Sequence, residues 1–374
     1  MKIISLVTTD LNYDQRMQRI CHTLTEAGYE VTLVGRKKSN SEDLRARIFA
    51  QRRLRCWFER GKLFYLEYDL RLLFLLLFAR YDLCCAVDLD TLLPATLICR
   101  LRNKTLIYDA HEYFSETPEV VRRPRVRRIW ERLARYCIPR TTDRYTVAPQ
   151  LAERMSEHYG IPFGVVRNLS RSAGRPPEES NNFDQKILLY QGALNEGRGL
   201  EALLATLPLL PGATLWLAGE GDLSQELRRL ADELNLTERV VFHGYVRPRE
   251  LRELTRQASI GLNLLEDRGL SYHYSLANKA IDYLHAGLPS VHMDLPEYRH
   301  LHEQYGIYRL VSDLRPETLA AALRDLLYDR SVYETQRSAA LAAARQLNWE
   351  AERIVLLHIY QKHCPIRDKR SSTI

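Results

Sequence analysis

Short apolar runs alternate along the chain with segments whose apolar residues recur every three or four positions. Residues 3–7 form the first apolar run and predict a β-strand, and the apolar spacing over residues 17–24 predicts a helix that Gly28 ends. Further strands are predicted at residues 29–34, 83–87 and 106–108. This alternation predicts an α/β fold in which helices cover both faces of a parallel sheet.

The alternation stops at residues 170–184, which are rich in Pro, Ser, Asn and charged residues and have no apolar period. Such a composition predicts a linker. Beyond it, strands are predicted at residues 187–190, 214–218, 240–242, 260–264, 290–292 and 308–311. The chain is therefore expected to hold two Rossmann-like domains, at residues 1–172 and 185–348, joined by a linker at residues 173–184.

A last helix is predicted within residues 349–364, before a flexible tail at residues 365–374. Ala351, Ile354, Val355 and Ile359 are expected to form its apolar face. The helix either caps the second domain or crosses back to the first.

A glycine-rich turn follows the predicted strand at residues 187–190 and leads directly into a helical pattern. Glycines let the backbone approach an anion closely, and free N–H groups at a helix start favour negative charge. Arg198 adds a planar fork that suits phosphate oxygens. The sequence therefore predicts a phosphate-binding turn that includes Gly192, Asn195, Arg198 and Gly199, with a purely structural turn as the alternative.

A polar loop near Ser275 leads into a helix that begins near Asn278 and that Gly287 ends. The free N–H groups of this helix start are expected to meet a diphosphate. Asp282 lies one helical turn beyond Asn278, where it is placed to accept hydrogen bonds from ribose hydroxyls. The alternative is a capped helix on which Lys279 and Asp282 are merely solvated.

Two further turns follow predicted strands. Gly219 and Glu220 come after the strand at residues 214–218 and are expected to lie near the nucleotide. His111 and Glu112 follow the strand at residues 106–108. Because the carboxyl ends of parallel strands line the ligand crevice, His111 is expected to bind or polarise a sugar hydroxyl, or else to be structural.

Two groups of residues could be metal ligands, but neither is expected to form a metal site. Asp88 and Asp90 spell an Asp-x-Asp, but Asp90 is expected to cap a helix that begins near Thr91. His300 and His302 lack further ligands at a suitable spacing, so no metal site is predicted.

Charge and cysteine content indicate the kind of partner and the compartment of the protein. Residues 1–175 carry 31 Lys and Arg against 20 Asp and Glu, whereas the remainder carries 23 against 27. A basic first half predicts an anionic partner there.

Seven cysteines without a Cys-x-x-Cys spacing predict reduced thiols in a cytoplasmic protein. The apolar run at residues 72–79 is far shorter than the ~20 residues that span a bilayer, and no signal peptide is recognised.

Residues 122–140 predict a basic amphipathic helix. Its arginines fall on one face and its apolar residues on another: Arg125, Arg128, Arg132 and Arg135, against Val126, Ile129, Leu133 and Cys137. Such a helix either packs on the core with a solvated face or lies on an anionic membrane surface.

Together these segments resemble the group 1 (family 4) glycosyltransferases, which have the GT-B fold, over most of the chain. The turn at residues 192–201 is similar to the family's donor-diphosphate turn, with Arg198 as its basic residue. Residues 279–283 and 286–289 resemble the donor-site helix. Residues 109–112 resemble the motif whose histidine, here His111, faces the donor sugar.

Three positions depart from the family pattern. Tyr274 and Asp282 stand where many members carry two glutamates, and Ala193 stands where many carry a second basic residue. The Asn278-Lys279 version of the helix nevertheless resembles that of some subgroups.

The resemblance implies two domains that face a central cleft and that transfer a sugar from a nucleotide-diphosphate-sugar donor with retention of anomeric configuration. His111, Arg198 and Lys279 would be catalytic. The acceptor, a glycan or lipid-linked glycan, would contact the first domain at Asp10, Asp14, Arg16 and Glu112. No metal, permanently bound cofactor or nucleic acid is expected.

The resemblance also leaves alternatives of function and location. The same fold serves sugar-nucleotide epimerases, and a nucleotide-sugar-binding protein without turnover is a third reading. The protein is expected to be cytoplasmic, either free or peripheral on the inner face of the cytoplasmic membrane.

Overall fold

The computed structural model describes residues 1–171 and 182–365. These residues form two compact units, the first from residues 1–168 together with the chain from residue 352, and the second from residues 169–351. Most of the predicted linker and of the predicted tail lies outside the described residues.

The described strands of the first unit form one parallel sheet in the order β3-β2-β1-β4-β5-β6-β7. They are β1 (Lys2–Leu6), β2 (Glu30–Lys37), β3 (Ala50–Arg55), β4 (Leu83–Val87), β5 (Thr105–Ala110), β6 (Asp143–Thr146) and β7 (Gly164–Val165). The helices between them are α1 (Gln15–Glu26), α2 (Gly61–Phe78), α3 (Leu92–Leu101), α4 (Pro118–Val121), α5 (Pro124–Cys137) and α6 (Pro149–Tyr159).

The second unit repeats this plan with a parallel sheet in the order β10-β9-β8-β11-β12-β13. Its strands are β8 (Ile187–Gln191), β9 (Thr214–Ala218), β10 (Val240–Gly244), β11 (Ile260–Asn263), β12 (Ser290–Met293) and β13 (Tyr308–Val311). Its helices are α7 (Leu200–Thr206), α8 (Ser224–Glu233), α9 (Pro248–Gln257), α10 (Leu270–His273), α11 (Asn278–His285), α12 (Pro296–Tyr305), α13 (Pro316–Tyr328) and α14 (Arg330–Ala344).

Both sheets are doubly wound, because each begins at an inner strand and grows outward in both directions. The strand order reverses between β1 and β4 in the first unit, and between β8 and β11 in the second. Strands β4 and β8 are buried along their whole length, as apolar strands covered by helices on both faces must be. This confirms the predicted α/β fold with two Rossmann-like domains. In such sheets a ligand crevice forms beyond the carboxyl ends of the strands at the reversal.

Three strands of the first sheet were not predicted. Strand β3 has the sequence Ala-Gln-Arg-Arg-Leu-Arg, and β6 has the sequence Asp-Arg-Tyr-Thr, so neither carries an apolar run. Strand β7 has only two residues. All three lie toward the edges of the sheet, where polar residues are tolerated and the apolar pattern is weak.

The last helix, α15 (Trp349–His363), crosses from the second unit to the first. The N–H of Trp349 donates to the Ser170 carbonyl at 3.0 Å, within the second unit. Eleven residues later, the hydroxyl of Tyr360 lies 3.5 Å from that of Tyr145 in the first sheet. The helix is thus one of the covers of the first sheet.

The predicted apolar face of α15 is wrong. Ile354 is 68% exposed and Val355 is 45% exposed, whereas Leu356 and Tyr360 are fully buried. Helix α15 carries apolar residues around much of its circumference, so their spacing alone did not select the buried face. Packing against the first sheet selects it.

The corrected face of α15 predicts a contrast between two neighbouring substitutions. Leu356→Ala should lower the free energy of unfolding by about 2–4 kcal/mol, because it empties a fully buried site. Ile354→Ala should change it by less than about 0.5 kcal/mol, because Ile354 is solvent-exposed. Chemical denaturation of both variants checks this, and equal losses would restore the originally predicted face.

Candidate active site

Two glycine turns touch where β8 and β9 end. Gly192 follows β8 with φ +131°, and Gly219 follows β9 with φ +153°, both backbone conformations that favour glycine. A Cβ on Gly219 would stand 1.9 Å from the Gly192 carbonyl oxygen. The N–H of Gly192 also donates to the Ala218 carbonyl at 2.9 Å. The two glycines therefore let the backbones meet at the carboxyl edge of the sheet.

Asn195 and Gly199 complete the first turn. The Asn195 side-chain oxygen accepts the N–H of Asp222 at 3.1 Å, which ties the two turns together. Gly199 has φ +67° and precedes α7, and a Cβ there would lie 2.8 Å from the Leu264 carbonyl oxygen. These predicted donor-binding residues thus build the turn, and their direct contact with a donor stays a prediction.

Arg198 and Lys279 are brought together beside this turn. The Arg198 guanidinium donates to the Tyr272 hydroxyl at 3.1 Å. The Lys279 Nζ lies 3.7 Å from the centre of the Tyr190 ring and 3.4 Å from the position that a Cβ on Gly192 would take. Within the described ranges, no Asp or Glu oxygen lies within 4.0 Å of either cation.

The electrostatics of this cation pair favour an anion. Burial lowers the pKa of Lys279 well below its usual value, and the Arg198 charge lowers it further. The side chain of Lys279 is nearly buried, at 9% exposure. A buried charge without a counter-charge is costly, so an anionic ligand would stabilise both cations and restore the proton of Lys279.

Helix α11 begins next to this pair. It starts at Asn278 and ends before Gly287, as predicted. The preceding loop is fixed by the N–H of Ala277, which donates to the Tyr298 hydroxyl at 2.9 Å, and by the Ser275 hydroxyl, which donates to the Tyr272 carbonyl at 2.9 Å. The residue at the N-cap, Ala277, has no side-chain group that could cap the helix start.

Asp282 joins α11 to the end of β8. Its carboxylate accepts from Gln191 Nε2 at 2.9 Å and from the Ser170 hydroxyl at 3.3 Å. Gln191 Oε1 in turn accepts from the Thr255 hydroxyl at 2.9 Å. Asp282 therefore has a positioning role in the second unit, and its predicted contact with ribose stays a prediction.

Glu220 lies in the turn after β9, where its backbone oxygen accepts the N–H of Leu194 at 3.3 Å. Its carboxylate is 3.6 Å from the guanidinium of Arg228, and both side chains are about half exposed. It is therefore accessible at the edge where the two glycine turns meet.

In the first unit, His111 follows β5 and contacts two carboxylates. Its backbone N–H donates to Asp88 Oδ1 at 2.8 Å, and its ring Nδ1 lies 3.7 Å from Asp88 Oδ2. Its Nε2 lies 3.3 Å from Asp109 Oδ2. Asp109 is held from the other side by Arg16, at 2.9 Å. About a fifth of the His111 side chain remains exposed.

The charged side chains around His111 determine its protonation state. Burial disfavours the imidazolium, but the carboxylates of Asp109 and Asp88 outweigh it and raise the pKa of His111 to about 9. Burial would also raise the pKa of Asp109, yet Arg16 and His111 lower it to about 2. His111 is therefore a cation at neutral pH, with a proton on both ring nitrogens.

Further carboxyl groups lie beside His111. Burial raises the pKa of Asp88, Asp90 and Glu112 above the usual range, and neighbouring carboxylates add to this for Asp88 and Glu112. Asp88 has φ +55°, a conformation that is costly for a residue with a side chain and that often marks a functional turn. The sequence analysis considered Asp88 only as a metal ligand, although its position directly after a buried strand also indicated a place beside the ligand crevice.

The predicted role of Asp90 is wrong. Asp90 does not cap α3, because the residue at the helix start is Thr91, which makes no side-chain cap bond. The Asp90 carboxylate instead accepts from the Thr8 hydroxyl at 2.7 Å. It thereby connects the ends of β1 and β4, the two strands at the reversal of the sheet.

The predicted acceptor-side residues have partners within the first unit. Asp14 caps α1 by accepting the N–H of Met17 at 3.0 Å. Asp10 pairs with Arg53 at 3.4 Å. Arg16 is buried, and besides Asp109 it donates to the Val166 carbonyl at 3.0 Å. The structure thus gives Arg16 a positioning role beneath His111, and the acceptor contacts of Asp10, Asp14 and Glu112 stay predictions.

Two family profiles match the chain. The glycosyl transferases group 1 profile matches residues 185–329, and the glycosyltransferase family 4 profile matches residues 15–168. The lipopolysaccharide core biosynthesis glycosyltransferase LpsE of Rhizobium meliloti is 34% identical over 62 residues, which are 17% of this chain and 18% of LpsE. The segments aligned with curated relatives span at most 30% of those relatives' length.

Solved structures match over nearly the whole chain. Sucrose-phosphate synthase (tll1590) from Thermosynechococcus elongatus has a TM-score of 0.80 and 18% identity, and the match covers 97% of this chain and 98% of that one. Anabaena Alr3699/HepE in complex with UDP and glucose has a TM-score of 0.77 and 14% identity, with 97% and 100% covered. At these identities the likeness shows the fold. The profiles and the fold together show that this chain belongs to the group 1, family 4 glycosyltransferases, with the GT-B fold.

Proposed function

We propose that this protein is a retaining glycosyltransferase that moves a sugar from a nucleotide-diphosphate-sugar donor to a glycan or lipid-linked glycan acceptor. The observation that carries the proposal is the pair of Arg198 and Lys279, which lack a carboxylate partner among the described residues and lie beside a glycine turn. The complex of HepE with UDP and glucose supports a donor of this class. The name of LpsE supports a surface glycan as acceptor.

The cations suit the charge that such a reaction creates. When the bond between the sugar and the diphosphate breaks, negative charge accumulates on the leaving phosphate oxygens. We propose that Arg198, Lys279 and the start of α11 stabilise that charge more strongly in the transition state than in the donor. Tyr272 and Tyr190 position the two cations before the donor binds.

The proposed mechanism requires no protein nucleophile. The bond between the anomeric carbon and the leaving oxygen breaks, and the acceptor hydroxyl forms the new bond on the same face. The leaving phosphate oxygen takes the acceptor's proton, so protons and charges balance without a further reactant. Retention of the anomeric configuration follows from attack on the face that the diphosphate leaves.

His111 supplies a third cation, in the first unit. We propose that its imidazolium donates a hydrogen bond to a hydroxyl of the transferred sugar, with Asp109 and Arg16 maintaining its charge. Asp282 is proposed to bind the donor ribose, and Gly219 and Glu220 to lie near the nucleotide.

Membrane association is part of the proposal. Among the residues that the structure describes, no helix has both the length and the apolar character needed to cross a membrane. Arg125, Arg128 and Arg132 of α5 are exposed. These arginines support a peripheral location on an anionic cytoplasmic membrane face.

Turnover with a set of nucleotide-diphosphate sugars tests the proposed activity. Incubation with donor and a glycan acceptor should give a product that appears only when the acceptor is present, with the donor's anomeric configuration by NMR. An isomerised nucleotide sugar formed without acceptor would instead indicate an epimerase. Binding with neither product would indicate a non-catalytic binding protein.

The charge chain around His111 predicts its titration. NMR of the His111 ring should give a pKa of about 9 in the wild type. Because the raised value comes from its carboxylate neighbours, Asp109→Asn and Asp88→Asn should each lower it. Asp90→Asn is the matched control and should lower it less, since Asp90 bonds Thr8. A wild-type value at or below the usual 6.5 would remove the proposed cation.

A further inference from the structure

Helix α2 is apolar on two opposite faces, only one of which is buried. One face packs into the first unit through Phe64, Tyr68, Leu72 and Leu76. The opposite face is solvent-exposed and carries large apolar side chains at a spacing of three or four residues: Leu63, Leu66, Leu70, Phe74 and Leu77. This spacing places them on one stripe along the helix. We call this stripe, together with Trp57, Phe58 and Phe78, the α2 surface.

The loop before α2 holds two aromatic side chains in solvent. Trp57 is 84% exposed and Phe58 is 45% exposed. The Glu67 carboxylate accepts the N–H of Trp57 at 2.9 Å and that of Phe58 at 3.0 Å. Arg71 contacts Glu67 at 2.8 Å, and its guanidinium lies 5.2 Å from the centre of the Trp57 ring. The backbone of the loop that carries the exposed aromatic residues is therefore held in place by hydrogen bonds.

Between the loop and the helix lies a groove of about 630 Å³. Trp57, Leu70, Phe74 and Phe78 are among the residues that line it, together with Arg52 of the edge strand β3. Apolar side chains thus continue from the exposed stripe into a concave surface.

Basic side chains surround the α2 surface. Arg52, Arg55, Arg60, Lys62 and Arg80 are all exposed. Among the carboxylates of this region, Glu67 binds the loop, Glu59 accepts the N–H of Ser39 at 2.7 Å, and burial raises the pKa of Asp69 to about 7. The edge of the surface therefore presents positive charge around an apolar centre.

We propose that the α2 surface docks on an anionic lipid bilayer. The apolar stripe would enter the boundary between headgroups and acyl chains, Trp57 would lie at the interface, and the basic residues would contact lipid phosphates. A second copy of this chain fits less well, because a symmetric contact would bring the basic edges of the two copies against each other. The residues of this surface differ from the arginines of α5, although the two helices are in contact, with the ring centres of Tyr65 and Trp130 5.4 Å apart.

This inference specifies the membrane part of the proposed function but is tested without donor or acceptor. If the protein does not bind vesicles, the proposed glycosyl transfer is not contradicted. If glycosyl transfer is not observed, the vesicle-binding result still holds.

The experiment uses the full chain and vesicles of phosphatidylcholine with and without phosphatidylglycerol. Wild type should sediment with the anionic vesicles. Replacing Leu66, Leu70 and Phe74 together by Gln should weaken this binding by roughly tenfold or more, because each lost apolar side chain removes burial in the bilayer. The matched control replaces Ile354 and Val355 by Gln; both are exposed apolar residues of α15, and binding should be unchanged.

Trp57 provides a second readout that does not depend on sedimentation. It is the most exposed of the four tryptophans, the others being half-buried or buried. Anionic vesicles should shift the protein's tryptophan fluorescence to shorter wavelength, and Trp57→Phe should abolish the shift while leaving sedimentation largely intact.

Three results would overturn the proposal. The first is that the triple variant binds vesicles like wild type. The second is that wild type does not bind anionic vesicles at low salt. The third is that wild type forms a dimer that the triple variant loses, while neither protein binds vesicles. Loss of binding only when Arg125, Arg128, Arg132 and Arg135 become Gln, with the triple variant unaffected, would assign the membrane contact to α5 instead.

Discussion

The second unit brings two cations, Arg198 and Lys279, together without a carboxylate partner among its described residues, and the chemistry of the site depends on this pair. A buried charge without a counter-charge is costly, and the lowered pKa of Lys279 expresses that cost. Without a ligand this cost is reduced in two ways: the pKa of Lys279 is lowered, and Tyr190 and Tyr272 offer ring faces and a hydroxyl in place of carboxylates. An anionic ligand of two phosphates would remove it.

In the first unit, by contrast, charged side chains compensate one another. Arg16 compensates Asp109, and Asp109 in turn holds a proton on His111. These three charges compensate one another without a ligand. His111 therefore presents a hydrogen-bond donor whose charge needs no anionic ligand. In the proposed mechanism the two units would contribute different chemistry: the second would stabilise a leaving anion, and the first would offer a positioned cation to a neutral hydroxyl.

The parts of this arrangement that depend on local sequence were predictable. Glycines that permit close backbone contact identify the turn at Gly192, and a helix start is recognisable at Asn278. The partners of side chains were not predictable, because they come from distant segments. Asp90 bonds Thr8 from another strand rather than its own helix, and α15 buries Leu356 instead of Ile354 because the first sheet selects the face.

Calorimetric titration with a nucleoside diphosphate, in wild type and in Arg198→Ala, tests the cation pair most directly. The loss of charge-assisted hydrogen bonds should weaken binding by about 1.5–3 kcal/mol, and Arg198→Lys should recover only part of it. Arg299→Ala, which removes an exposed arginine paired with Asp294, is the matched control and should bind like wild type. Unchanged diphosphate affinity in a folded Arg198→Ala variant would contradict the assignment of this pair to the donor diphosphate.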